Sequence, residues 1–308
     1  MNPKGGTEIL HENLLSRLSE NDLKDINLIL SICHPDLVQR NKINVVWQHL
    51  SYDQENVRLM NDRQYVDSID YFVYVSDWQY EKFRQHFRIP EYKSYVLKNA
   101  ISPFEKENSY QKNKLKLTYA TTPWRGLNVL IESIRQLNDM RDDFEIDVFS
   151  STKIYGDAFD KTEYSKYEEL FRLCEDIPNI NYKGYDTNEN IRKSLLNTNL
   201  YVYPSIFEET SCLSIIEAMS AGCHVITTNL GALPETCGSF ATMLRFQPNL
   251  QNLATEYAKT LNDCMNKYKN NEYDKQLKLQ SKYYYTYYSW NERIKQWKDF
   301  LEMIRNGR

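Results

Sequence analysis

The chain has 308 residues, 41% of them hydrophobic, and a formal net charge of -4. That length exceeds what one core ordinarily holds and predicts two domains of about 150 residues each, while the near-balanced charge excludes a basic nucleic-acid surface. No run of about 18 apolar residues occurs, which excludes a membrane-spanning helix, and no charged segment followed by an apolar core opens the chain, so a cytoplasmic location is expected.

In chain order, "KGGTEILHENLLSRL" opens a helix at Gly5-Gly6, with Leu10, Leu14 and Leu18 on one face. The runs "INLILSICHPD", "INVVWQH", "YFVYVSDWQ" and "YVLKNAIS" follow. They are rich in Val, Ile and Tyr and alternate with helical stretches, the pattern of a parallel sheet covered on both faces. The polar stretch from Ser102 to Asn113 places a domain boundary, and Lys112, Lys114 and Lys116 read as a solvated linker. The alternation then restarts with "LKLTYA", the helix "GLNVLIESIRQL", "FEIDVFSS", "INYKGY", a helix near 188–197, "LYVYPS" and "HVITTN". The last segment is helical. "YYYTYY" reads as packed aromatics, and Ser289 with Glu292 forms a capping box ahead of the stripe Trp290, Ile294, Trp297, Leu301 and Ile304. The six cysteines have no CxxC spacing and no zinc-type His pair near them, so they read as reduced thiols.

Ligands of open parallel sheets bind beyond the carboxyl ends of strands. Those ends carry Gln48 and His49, Ser76 and Asp77, Asn99, the stretch Thr121–Gly126, the loop with Glu209, and Asn229 with Gly231. Several lead straight into helices, whose N-termini offer free N–H donors and partial positive charge for a phosphate. Arg125, with the amides near Cys212 and Leu213, fits a diphosphate; a surface ion pair is its other reading. Ser211 is expected to cap the helix that follows. Glu217, about one turn into that apolar helix, has two readings: a carboxylate accepting the hydroxyls of a ribose, or an internal ion pair to a Lys or Arg, since an unpartnered buried Glu is costly. Glu209 lies further out, toward whatever the phosphate carries.

The stretch "PSIFEETSCLSIIEAMSAGCHVITTNLGALPE", with seven residues between Glu209 and Glu217, resembles the signature of family-four retaining glycosyltransferases of the GT-B fold. "TTPWRGLNVL" resembles their basic-Gly-Leu phosphate segment, "KGGTE" their N-terminal Gly-Gly loop, and "VVWQH" and "YVLKNAI" other family positions. The resemblance implies an α/β protein of two Rossmann-like domains facing a cleft: residues 1–107 on the acceptor side with the usual first strand absent or very short, 108–288 binding the nucleotide sugar, and 289–308 a helix returning to the first domain. It implies retaining transfer of a hexose from a UDP- or GDP-sugar to a carbohydrate, lipid-linked or protein hydroxyl, with no metal, no cofactor, no nucleic acid, and peripheral membrane contact as an option. Glu217 would bind the ribose and Glu209 the transferred sugar. Arg125 would neutralise the leaving diphosphate, Gly6 would let the backbone approach the phosphate or the acceptor, and His49 would sit near the reacting sugar unless it only packs on Trp47. The implied catalytic set is His49, Arg125 and Glu209. Donor contacts are completed by Lys153, Tyr185, Thr210, Ser211, Cys212 and Leu213.

The sequence departs from the family at three places. No second basic residue precedes Arg125 in the stretch Ala120–Thr122, which leaves Lys153 as the substitute. Cys212 stands where the phosphate loop usually has Gly. The N-terminal domain is short. A non-catalytic nucleotide-sugar-binding or scaffold protein of the same fold is the competing reading. A dinucleotide oxidoreductase lacks its GxGxxG and a serine hydrolase its GxSxG.

Overall fold

The computed structural model describes residues 5–104 and 113–307, so most of the predicted boundary, Ser102–Asn113, and Lys112 lie outside the described residues. Among the described residues, ten strands form two separate, wholly parallel sheets. The first contains β1 (Ile26–Leu30), β2 (Ile43–Gln48), β3 (Tyr71–Tyr74) and β4 (Ser94–Val96), in that order. The second contains β5 (Leu115–Ala120), β6 (Phe144–Phe149), β7 (Ile180–Tyr182), β8 (Leu200–Tyr203), β9 (His224–Thr228) and β10 (Thr242–Leu244), in the order β10-β9-β8-β5-β6-β7. Parallel strands need covered crossovers, and the central strands β2, β8 and β9 are buried along their whole length.

Among the described residues, twelve α-helices surround the sheets. Beside the first are α1 (Gly6–Leu15), α2 (Glu20–Leu23), α3 (Arg63–Ser68) and α4 (Asp77–Phe87). Beside the second are α5 (Leu127–Asn138), α6 (Asp157–Asp176), α7 (Asn188–Leu195), α8 (Leu213–Ser220), α9 (Leu233–Cys237), α10 (Leu250–Lys269) and α11 (Asp274–Tyr287). The last, α12 (Trp290–Asn306), returns to the first sheet.

The period-two alternation of β2 divides the first core. Val45 and Trp47 pack with Leu10 and Leu14 of α1 and with Trp297, Leu301 and Ile304 of α12. Val46 faces Phe72, Tyr74, Phe83 and Phe87 on the other side. Trp297 meets Trp47 edge to face at 5.2 Å between ring centroids, and Arg305 binds Asp25. Ser289 Oγ accepts from the Glu292 N–H at 3.2 Å, as a helix cap should. The reciprocal half of the expected capping box is not formed, because the Ser289 N–H goes to the Thr286 carbonyl.

The tyrosine run lies in and just after α11. Tyr284 and Tyr288 are buried and stacked at 5.1 Å, while Tyr283 and Tyr285 reach solvent. The six cysteines are free and buried. No described helix is long and apolar enough to cross a membrane.

The chain passes from the first sheet to the second near Ile101 and returns near Ser289. These crossings lie side by side: the Ile101 N–H donates to the Tyr288 carbonyl at 2.8 Å, and the Trp290 N–H to the Ile101 carbonyl at 3.2 Å.

Candidate active site

In the second sheet β5 and β8 are neighbours, but the chain runs from β5 outward to β6 and β7 and from β8 outward to β9 and β10. The place beyond the carboxyl ends of two strands at such a reversal is the usual ligand position in these sheets. Arg125 follows β5 and Glu209 follows β8. Two glycines allow the loops to close around this point. Gly126 has φ 133°, and a Cβ there would lie 2.2 Å from the Pro204 carbonyl oxygen. Gly231 has φ 58°, and its Cβ would lie 2.5 Å from the Glu209 carbonyl oxygen, which accepts from the Ala232 N–H. A side chain at either position meets both a left-handed backbone and fixed main-chain atoms.

Arg125 Nη1 donates to Glu209 Oε1 at 2.8 Å, and the Tyr203 hydroxyl donates to the same oxygen at 2.6 Å. Glu209 is 5% exposed and Arg125 26%. Burial alone disfavours the Arg125 cation, but the Glu209 charge outweighs it and holds the guanidinium well above its ordinary pKa. The guanidinium rests on the Phe207 ring at 4.6 Å. Its Nε–H is buried without a partner, and Glu209 Oε2 is open among the described residues. An unsatisfied buried donor beside an open carboxylate oxygen makes this pair a candidate ligand site.

Glu217 lies in α8, 11% exposed. Its Oε1 accepts from Arg192 at 2.7 Å and its Oε2 from Asn188 at 3.3 Å. Burial raises its pKa, and the Arg192 charge works against that. The internal ion pair is thus present. Ser211 does not cap α8: the N-cap residue is Cys212, and its side chain makes no capping bond. The Cys212 thiol instead lies 3.3 Å from Ser214 Oγ and is held neutral, pushed up to about 12 by burial and the Glu209 charge. With no side chain on them, the first-turn amides of α8 around Leu213 stay available to an anion. The Thr210 hydroxyl is spent on the His49 carbonyl at 2.9 Å, a bond between the two halves of the molecule.

From the first sheet, His49 follows β2. Its ring packs on Trp47 at 4.5 Å, and its Nε2 is buried with no partner among the described residues. Burial and the nearby His11 push its pKa down to about 3, so the imidazole is neutral at physiological pH. The packing contact on Trp47 is therefore real, and it leaves one ring nitrogen unbonded. Gly6 begins α1 as Leu213 begins α8, and a Cβ on Gly6 would lie 3.0 Å from Leu213 Cδ1. Two helix N-termini without side-chain caps therefore abut at the site.

Lys153, the expected substitute for the missing basic residue, lies in the turn after β6. Its ammonium is exposed and lies 5.9 Å from the Tyr185 ring, which brings those two expected contacts to each other. Tyr155 lies in the same turn. The Tyr155 ring is stacked on Trp124 at 5.9 Å and 48% exposed, and a Cβ on Gly5 would lie 3.7 Å from it. Sequence reading missed Tyr155, Tyr203, His11, Asn188 and Arg192. Only Tyr155 left a signal, two residues from Lys153 at a strand end; the others are placed by strand pairing and helix packing.

Parallel sheets on either side of a shared line, with Arg125 and Glu209 at the reversal of the second, define a GT-B glycosyltransferase fold. The chain belongs to the family described as glycosyl transferases group 1, whose family model matches residues 102–280, spanning Arg125, Glu209 and Glu217. Among solved structures it is similar to a glycosyltransferase from Rickettsia africae, at 16% identity over 100% of this chain and 84% of that one, TM-score 0.72. It is also similar to the pneumococcal O-GlcNAc transferase GtfA in complex with UDP and GlcNAc, at 15% identity over 97% of this chain and 60% of that one, TM-score 0.64. A third is Anabaena HepE in complex with UDP-glucose, at 14% identity over 87% and 73%, TM-score 0.63. No curated protein matches the sequence significantly.

Proposed function

We propose that this protein transfers a hexose from a UDP- or GDP-sugar to an acceptor hydroxyl with retention of anomeric configuration, and that it needs no metal ion. The observation that carries the reading is the Arg125–Glu209 pair at the sheet reversal, with an unsatisfied guanidinium N–H and an open carboxylate oxygen on adjacent groups. The guanidinium neutralises charge developing on the leaving diphosphate, helped by the amides at the start of α8. The open oxygen of Glu209 accepts a hydroxyl of the departing sugar. Glu217, deeper in α8, takes the ribose hydroxyls. His49, neutral and across the contact line, hydrogen-bonds the sugar or the acceptor through Nε2; a group so hard to protonate is unsuited to donate a proton.

UDP in two of the similar structures favours a UDP-sugar as the first donor to try. The test is donor hydrolysis or transfer assayed with UDP- and GDP-hexoses, with and without EDTA, and the product's anomeric proton read by NMR. Transfer unaffected by EDTA, with an α-linked product from an α-linked donor, is expected. Loss of turnover in EDTA would remove Arg125 from its role, and a β-linked product would overturn retention. Tight donor binding without turnover would identify a non-catalytic nucleotide-sugar-binding protein.

A further inference from the structure

We propose that Arg192 is a positioning residue of the donor site, clamping Glu217 in place for a ribose diol and tying it to the chain segment that joins the two sheets. The proposal rests on the donor reading given above. Arg192 lies in α7, outside the stretch that carries the two glutamates. One guanidinium nitrogen donates to Glu217 Oε1 at 2.7 Å, and the other to the Ser102 carbonyl at 2.5 Å, just past the crossing at Ile101. Its plane rests on the Phe104 ring at 4.2 Å. The fork geometry of arginine is what lets one side chain hold a carboxylate and a carbonyl together; a lysine has a single nitrogen to offer.

The chemistry gives the clamp a purpose. A ribose presents two adjacent hydroxyls, which a carboxylate accepts well and a neutral carboxylic acid accepts poorly. Glu217 is buried, and burial drives it toward the neutral form. The elements packed on α8 offer little else to resist this. From α9, Glu235 is held by Lys98; from β9, His224 is bonded to Thr242; on α11, Lys275, Lys278 and Lys282 are exposed; on α7, Glu189 and Lys193 pair with each other. Arg192 is the charge that acts on Glu217 among the described residues. With Asn188 on the second oxygen, both carboxylate oxygens are fixed in direction and each keeps a lone pair for a hydroxyl.

The test combines two measurements on the full chain. The Glu217 carboxyl carbon, assigned by the signal lost in Glu217→Gln, is titrated by NMR without nucleotide in wild type, Arg192→Gln and Arg192→Lys. Binding of UDP-glucose, or of GDP-glucose if that binds better, is measured at pH 6 and pH 8.5. In Arg192→Gln the carboxyl midpoint should rise, and donor affinity at pH 6 should fall about tenfold or more relative to pH 8.5, one pH unit of titration corresponding to tenfold. Wild type and Arg192→Lys, which keeps the charge, should change less than about threefold over that range. An Arg192→Gln carboxyl that titrates like wild type, or an Arg192→Lys whose affinity changes between pH 8.5 and pH 6 as much as that of Arg192→Gln, would overturn the proposal. The lysine variant carries the test if the glutamine variant does not fold. If wild type binds neither nucleotide sugar while the midpoint still moves, the donor reading fails, and the proposed role of Arg192 falls with it for that separate reason.

Discussion

At the scale of single residues, the two glutamates have different neighbours and should fail differently. Glu217 is engaged by Arg192 and Asn188, and Glu209 by Arg125 and Tyr203. Glu217→Gln should weaken free UDP and the UDP-sugar alike, by about 1.5–3 kcal/mol for hydrogen bonds to a charged acceptor. Glu209→Gln should leave free UDP nearly unchanged and reduce sugar binding or transfer. Calorimetry with both ligands checks this, and equal losses of free UDP in both variants would refute the division. His49→Ala should lower turnover on the order of a hundredfold while nucleotide binding survives; near-normal turnover would leave only its contact with Trp47. The two glutamates, Arg125 and His49 were legible because each follows a strand end or lies in a recognisable spacing. Arg192 was not, since nothing local distinguishes it from Lys193 beside it, and it is chosen by which face of α7 meets α8. Ser211 misled for a related reason: the chain enters α8 one residue later, which moves the N-cap to Cys212.

At the scale of elements, the strands were legible and the late helices less so. Continuous apolar runs with β-branched residues announced β1 to β9, but β10 is only three residues long, and two of its three are partly exposed. The tyrosine run hid most of α11 behind residues that favour strands. The long amphipathic α10 carries its buried stripe from Leu253 to Tyr268. The closing helix α12 was legible from its apolar stripe and its cap. Trp297 is 1% exposed and wedged against Trp47, so Trp297→Ala should destabilise by about 3–5 kcal/mol, as large-to-small core changes do. It should loosen the first sheet before the second, and hydrogen exchange resolved by segment would show whether β2 loses protection ahead of β5. Uniform loss across both sheets would contradict the placement of α12.

At the scale of the whole molecule, acid stability is set partly by buried histidines. His49 and His224 are both pushed down to about 3 by burial, from an ordinary value near 6.5. Below pH 6.5 the unfolded chain binds protons that the folded chain refuses, so this part of the stability is present above pH 6.5 and is lost as pH falls toward 3. Each histidine should cost up to about 1.4 kcal/mol per pH unit in that window. Urea midpoints measured from pH 7 to 5 should fall in wild type and fall less in His224→Asn, whose imidazole is 1% exposed and stacked on Tyr273 at 3.8 Å. Parallel curves for the two proteins would show that His224 is not the group responsible. The two halves also hold one another electrostatically: Glu235, from α9, accepts from the Asp77 and Trp78 N–H groups at 2.9 and 3.0 Å and pairs with Lys98 at 2.8 Å, so a side chain of the second half caps a helix of the first.

The side-by-side crossings at Ile101 and Ser289 have a mechanical meaning. Two bodies joined by adjacent, hydrogen-bonded strands share a single axle, and relative motion about it is a swing, in which displacement grows with the length of the lever arm. Contacts made by residues next to the crossing, Arg192 with Ser102 and Lys98 with Glu235, ride near the pivot and persist through a small swing. Gly6 against Leu213 and Thr210 with His49 join the halves through residues far along the chain from both crossings, so a swing about the axle has to break them or carry them along. A molecule jointed in this way can open between its halves without uncoupling them, because the crossings themselves carry the hydrogen bonds that hold the pivot.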